Sequence, residues 1–155
     1  MYKKILVPLD GSELAECVLP HVESIAKGCS AQKVVFLRVV EPFRMPSGEA
    51  SLVFSDADVK RIDSDNKTKA KSYLGQIVSR AKYDGVAVES AIITGKAAES
   101  IVDYAAKNEV DFITIATHGR SGVSRWVWGS VADRILRSAC VPVLMVRAPG
   151  CVPGI

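Results

Sequence analysis

The chain has 155 residues, 48% hydrophobic and 24% charged, an ordinary globular composition at a length that points to one domain. That balance excludes disorder, collagen and coiled coil as the main description. Twenty Lys and Arg against 17 Asp and Glu leave a net charge of +3, too little to indicate nucleic acid or a membrane surface as a partner.

The first aliphatic run, Ile5-Leu6-Val7, ends at Pro8-Leu9-Asp10-Gly11-Ser12 and reads as a buried parallel strand followed by a turn. Ser12 suits the N-cap of a helix whose first turns carry Glu13 and Glu16. Leu14, Val18, Val22 and Ile25 recur at helical spacing. Pro20 predicts a kink inside that helix, and Gly28 a stop. Lys33 to Val40 is rich in β-branched residues and reads as the second strand. Glu41 to Ser55 holds Pro42, Pro46 and Gly48 without a period, so it reads as a loop. Its Phe43, Met45, Leu52, Val53 and Phe54 suit a partial lid.

Asp56 to Lys82 is a long amphipathic helix with Val59, Ile62, Ala70, Tyr73, Leu74, Ile77, Val78 and Ala81 on one face. Its lysines read as a solvated face rather than a nucleic-acid patch. After Asp84-Gly85, the pattern predicts a strand over Val86 to Thr94 and a turn at Gly95. A helix follows through Ala98, Ile101, Val102, Ala105 and Ala106, then a strand over Phe112 to Thr117. A glycine-punctuated stretch from His118 to Ser130 leads to a short helix, Val131 to Ser138, and a last strand, Val143 to Val146. Ala148 to Ile155, with two prolines and a glycine pair, reads as a loose tail after a single domain over 1–147.

This alternation predicts an α/β fold: an open, mostly parallel, five-stranded twisted sheet with helices on both faces. No run approaches the about 20 apolar residues of a spanning helix. The N-terminus lacks the apolar core of a signal peptide. Cys17, Cys29, Cys140 and Cys151 form no C-x-x-C and do not cluster with His21 or His118. They read as reduced thiols of a cytoplasmic protein, with no zinc or other metal site.

Ligands of such sheets bind beyond the carboxyl ends of the strands, where strand order reverses, which points to Asp10, Val39 to Glu41, Gly95 and the stretch after Ile115. The stretch from Ala116 to Ser130 joins such an end to a helix start. Its glycines allow close approach of backbone amides. A helix start presents free N–H groups and partial positive charge, and Ser130 adds a hydroxyl. The combination suits phosphate. From Gly119 onward, Arg120, Arg125, Arg134, Arg137 and Arg147 stand against Asp133 alone, a net of +4, which leaves −1 for the rest. On physics alone, a phosphate site and an ordinary turn-rich loop both remain open here.

Three segments carry a resemblance over almost the whole chain. They are Ile5-Leu6-Val7-Pro8-Leu9-Asp10-Gly11-Ser12, Thr117-His118-Gly119-Arg120-Ser121-Gly122 with Gly129-Ser130-Val131-Ala132, and Val141-Pro142-Val143-Leu144-Met145-Val146-Arg147. The sequence resembles a single-domain universal stress protein. In nucleotide-binding members of that family a glycine, two residues, a second glycine and nine residues precede Gly-Ser or Gly-Thr. Here the second glycine is Gly119 and the closing pair is Gly129-Ser130. The first glycine is replaced by Ala116. If that position requires positive φ, alanine costs about 1 kcal/mol or more. If the glycine serves close approach, a methyl presses on the ribose. Either effect weakens binding about tenfold.

The resemblance implies a Rossmann-like sheet of the adenine nucleotide alpha hydrolase-like kind. It implies a cytosolic stress-response regulator that binds ATP, or AMP or ADP, with or without Mg²⁺. Pro8, Leu9 and Asp10 would lie at the ribose or adenine, although Asp10 also suits a turn. Val39 would lie against the adenine, although it also suits the core. Ile115, Ala116 and Thr117 would flank base and sugar, and His118 would offer its backbone near the phosphates. Gly119, Gly129, Ser130 and Val131 would cradle those phosphates within reach of Arg120. The family also implies a homodimer through Val143 to Val146. No nucleic acid and no membrane are expected as partners.

No G-x-x-x-x-G-K-[ST], no G-x-G-x-x-G in the first turn and no G-x-S-x-G occur. The expectation is therefore binding, with at most slow ATP hydrolysis. The alternative is a nucleotide-independent interaction module in which Ala116 has closed the site and Trp126 and Trp128 form a partner surface.

Overall fold

The structure, a computed structural model, describes residues 2–44, 55–117 and 129–147. Among these residues five strands form one open sheet: β1 (Lys4–Pro8), β2 (Lys33–Val40), β3 (Ala87–Thr94), β4 (Phe112–Ala116) and β5 (Val143–Val146). Their order is β3-β2-β1-β4-β5 and every pairing is parallel. The helices are α1 (Glu13–Glu16), α2 (Leu19–Gly28), α3 (Asp56–Arg80), α4 (Ala97–Lys107) and α5 (Ser130–Ser138). The predicted architecture is the observed one.

Alternation along the strands divides the core in two. Ile5, Val7, Val34 and Phe36 pack with Val22 and Ala26 of α2 and with Leu74 and Ile77 of α3. Leu6, Val35, Leu37 and Ile113 pack on the opposite face with Ala98 and Ile101 of α4 and Ile135 of α5. The central strands are buried on both faces, which is why they read as unbroken aliphatic runs. Each such Ile, Leu or Phe contributes about 1.5–3 kcal/mol on burial.

Pro20 does not kink a single helix. The chain breaks at Cys17 and Val18, and α2 starts afresh with Pro20 in its first turn, where the missing N–H has no intrahelical partner to lose. Gly28 is the last residue of α2 rather than the left-handed stop. That conformation falls on Ser30 (φ 52°), and after α4 on Glu109 (φ 51°). In both, the second residue beyond the cap donates back five positions, Ala31 N to Ala26 O at 2.9 Å and Val110 N to Ala105 O at 3.1 Å. That is a Schellman closure. The predicted lid over 45–54 and the tail over 148–155 lie outside the described residues; Phe43, at the start of that loop, donates its N–H to Asp63 Oδ1 at 2.8 Å.

Candidate functional site

Strand β1 leads to β2 on one side of the sheet and neighbours β4 on the other. A crevice outside the carboxyl ends of the strands is therefore expected between β1 and β4. A cavity of about 440 Å³ lies there. Pro8, Leu9 and Asp10 from β1 and its turn line it. Also lining it are Leu37, Arg38 and Val39 of β2 with Glu41 just beyond, Ala97 and Ile101 of α4, Ile115 and Ala116 of β4 with Thr117 after them, and Gly129 with Ser130 to Ala132 of α5.

Ten of the residues expected at a nucleotide site thus meet in one place: Pro8, Leu9, Asp10, Val39, Ile115, Ala116, Thr117, Gly129, Ser130 and Val131. His118, Gly119 and Arg120 lie outside the described residues, as do Arg125, Trp126 and Trp128. Val39 both lines the cavity and packs against the core of the α4 face.

Asp10 likewise lines the cavity while closing a turn. Its Oδ1 accepts from Ser12 N at 3.0 Å and from Ser12 Oγ at 2.6 Å, a turn closed by an aspartate side chain. Ser12 Oγ in turn accepts from Ala15 N at 3.2 Å as the N-cap of α1. Gly11 between them holds φ 82°, and a Cβ there would sit 3.6 Å from the Arg38 guanidinium. Arg38 Nη1 donates to Leu9 O at 3.3 Å. The turn is thus held from both β1 and β2. Behind it, burial pushes the Tyr73 hydroxyl well above the usual tyrosine range, and the nearby carboxylates of Glu16 and Asp10 add to that shift.

Opposite Asp10, Thr117 N donates to Val146 O at 2.8 Å, and Gly129 N returns to Thr117 O at 2.7 Å. This second bond brings the start of α5 back against the end of β4. Helix α5 has Gly129 at its N-cap and no side-chain cap. Its first turn lines the cavity and carries the partial positive charge of a helix start. Ser130, expected just before the helix, is its first residue.

Ala116 is not strained. Among the described non-glycine residues only Ser30 and Glu109 have positive φ. Ala116 lies in β4 opposite Val146 and is buried in the cluster on the α2 face. The route by which alanine would be disfavoured through φ does not operate, and the cavity stays open beside it.

The strand-end rule points to Val39 to Glu41 without giving Glu41 a role, and Arg38 falls just before that range. The signal was a charge at each position at the carboxyl end of an otherwise aliphatic strand. Ile101 is expected only as part of the helix after Gly95, and Ala97 is not singled out. The turn at Gly95 is specific, because a Cβ there would collide with Ser100 Oγ. It delivers the start of α4 to the cavity. Among the described residues no three His, Cys, Asp or Glu side chains gather into a metal site, and no helix is long and apolar enough to cross a membrane.

The chain matches the model of the Universal stress protein family over residues 1–147. It is 31% identical over 150 residues to Universal stress protein MJ0531 of Methanocaldococcus jannaschii, covering 96% of this chain and 84% of that one. The solved structure of protein MJ0577 of the same organism superposes with a TM-score of 0.82 at 29% identity, covering 97% and 99% of the two chains. The universal stress protein of Archaeoglobus fulgidus in complex with dAMP superposes with a TM-score of 0.61 at 24% identity, covering 93% and 97%.

Proposed function

The chain belongs to the universal stress protein family, and from that premise we propose that it is an adenine-nucleotide-binding regulator of the stress response. The observation that carries the reading is the start of α5 at Gly129-Ser130, with no side-chain cap among the described residues, lining a cavity together with Asp10, Val39 and Ile115. The helix start takes the phosphates, Asp10 and Thr117 border the sugar, and the apolar side chains of Val39, Ile101 and Ile115 suit the flat faces of a purine. A relative of the same fold holds dAMP; at its identity that likeness speaks for the fold, and the ligand reading rests on the chemistry of this cavity.

ATP, ADP and AMP share the features such a cavity would grip, and Mg²⁺ would arrive with the phosphates of ATP. We read the protein as a binder with at most slow hydrolysis, because Ser12, the hydroxyl beside Asp10, is committed as a helix cap. Occupancy then favours one conformation for partners to read. A cytosolic location fits the free thiols of Cys17, Cys29 and Cys140. A homodimer through β5 fits its place at the sheet edge and its three partly exposed residues, Val143, Leu144 and Met145, since an unpaired edge invites a second strand.

Calorimetry with ATP and Mg²⁺ tests this function. Saturable binding is expected in the native protein, with at least tenfold loss in Gly129→Val. Gly129 has φ −53°, which valine tolerates, so the loss comes from side-chain bulk in the cavity wall. Absence of heat at millimolar nucleotide removes the reading, and partner capture indifferent to nucleotide would favour an interaction module instead.

A further inference from the structure

Two helix starts border the same cavity. Helix α5 begins at Gly129 and α4 at Lys96, and neither has a side-chain cap of its own. They are not equivalent. The first amide of α4, Ala97 N, donates to Glu41 Oε1 at 3.3 Å, across 56 positions of sequence. Glu41, just past the end of β2, thus fills the start of α4 with a carboxylate and lines the cavity there.

That carboxylate gives the cavity a polarity. An anion is repelled from the α4 end and accepted at the α5 end. Strands β2 and β4 are separated by β1, so the two ends stand two strand spacings apart, about 10 Å. That span matches a nucleoside monophosphate from base edge to phosphate. Between the ends the wall is Val39, Ile101 and Ile115. With the phosphate at Gly129-Ser130, the base edge reaches Glu41. An ionised carboxylate is acceptor-only, so what it can bind there is a hydrogen-bond donor.

We propose that Glu41 is the specificity-determining residue of the cavity, selecting a purine with an exocyclic amino group at the edge it presents. This rests on the adenine-nucleotide reading above and adds the contact that distinguishes the base. Glu41 is exposed at the rim, so its effect belongs at the lower end for a charge-assisted bond, about fivefold to tenfold in affinity.

The test compares AMP, purine riboside 5′-monophosphate (hydrogen in place of the amino group) and 2′-deoxyadenosine 5′-monophosphate by calorimetry. The native protein is expected to prefer AMP over the purine riboside compound about fivefold to tenfold. Glu41→Ala erases that ratio and leaves the ratio of AMP to its 2′-deoxy form unchanged. Loss of the α4 capping contact alone would weaken all three ligands together and keep the ratio, which overturns the assignment. Collapse of the 2′-deoxy ratio instead puts the carboxylate on the sugar and also overturns it. If Glu41→Ala fails to fold by circular dichroism, Glu41→Gln decides. It keeps an acceptor for Ala97 N and removes the charge, and the AMP preference must fall at least twofold. A native protein that binds nucleotides without preferring AMP refutes this inference alone; one that binds none refutes the nucleotide reading beneath it.

Discussion

Ser12 Oγ donates to Asp10 Oδ1 at 2.6 Å while accepting the N–H of Ala15. One hydroxyl therefore caps α1 and fixes the carboxylate that borders the cavity. Removing it acts at both places. Ser12→Ala is expected to lose about 0.5–1 kcal/mol of stability, the lower range for a cap because α1 is a single turn. It should also weaken nucleotide binding several-fold by freeing Asp10. Thermal melts and titrations of the same preparation check both. Full affinity in a destabilised variant would show that Asp10 is oriented without Ser12.

Ala116 stands where nucleotide-binding relatives carry glycine, so Ala116→Gly is the natural attempt at improvement. Its backbone is ordinary strand and its methyl belongs to the core of the α2 face. The substitution is expected to cost about 1–2 kcal/mol through lost packing and added chain freedom. Nucleotide affinity should change less than twofold. A tenfold gain would show that the methyl crowds the ligand after all.

These two positions mark how far the sequence carries. Strands β1, β2 and β4 were legible because burial on both faces leaves little room for polar residues, and β5 because it is a short, wholly apolar run. The crevice was legible because its place follows from strand order. Pro20 was misjudged because the same residue kinks a helix interior and starts a helix. Only the break at Cys17 and Val18, a tertiary outcome, decides between them. Ser30 and Glu109 gave no sign of left-handed backbone, since neither is a residue that favours it. Strand order reached Glu41 but not its contact: the partner, Ala97 N, is a backbone group in a helix that follows the next strand, and no local pattern joins the two.

The left-handed Glu109 offers a stability gain. A non-glycine residue at φ 51° carries about 1–2 kcal/mol of strain, offset in part by the freedom glycine adds to the unfolded chain. Glu109→Gly is therefore expected to stabilise by about 0.5–1 kcal/mol, a rise of roughly 1–4 °C in Tm. Ser30→Gly closes the same motif after α2 and should add to it independently. A lower Tm for both would mean that the closure from Ala31 and Val110 does not depend on strain-free backbone at these two positions.

Tyr83 sets an alkaline limit. It is buried beside α2, and burial raises its hydroxyl from an ordinary value near 10.0 to about 12, with the charge of Glu23 adding to the effect. A raised folded-state value means that the folded protein keeps its proton longer than the unfolded chain does. The contribution is fully present below pH 10 and is lost as pH rises from about 10 towards about 12, where the unfolded chain ionises first. Tyr83→Phe has no proton to lose. Denaturant unfolding followed from pH 8 to 12 should therefore show a shallower alkaline decline in the variant, even if its stability at pH 8 is slightly lower. Parallel curves for the two proteins would place the alkaline loss elsewhere, with Tyr73, half-buried and also raised, as the next group to replace.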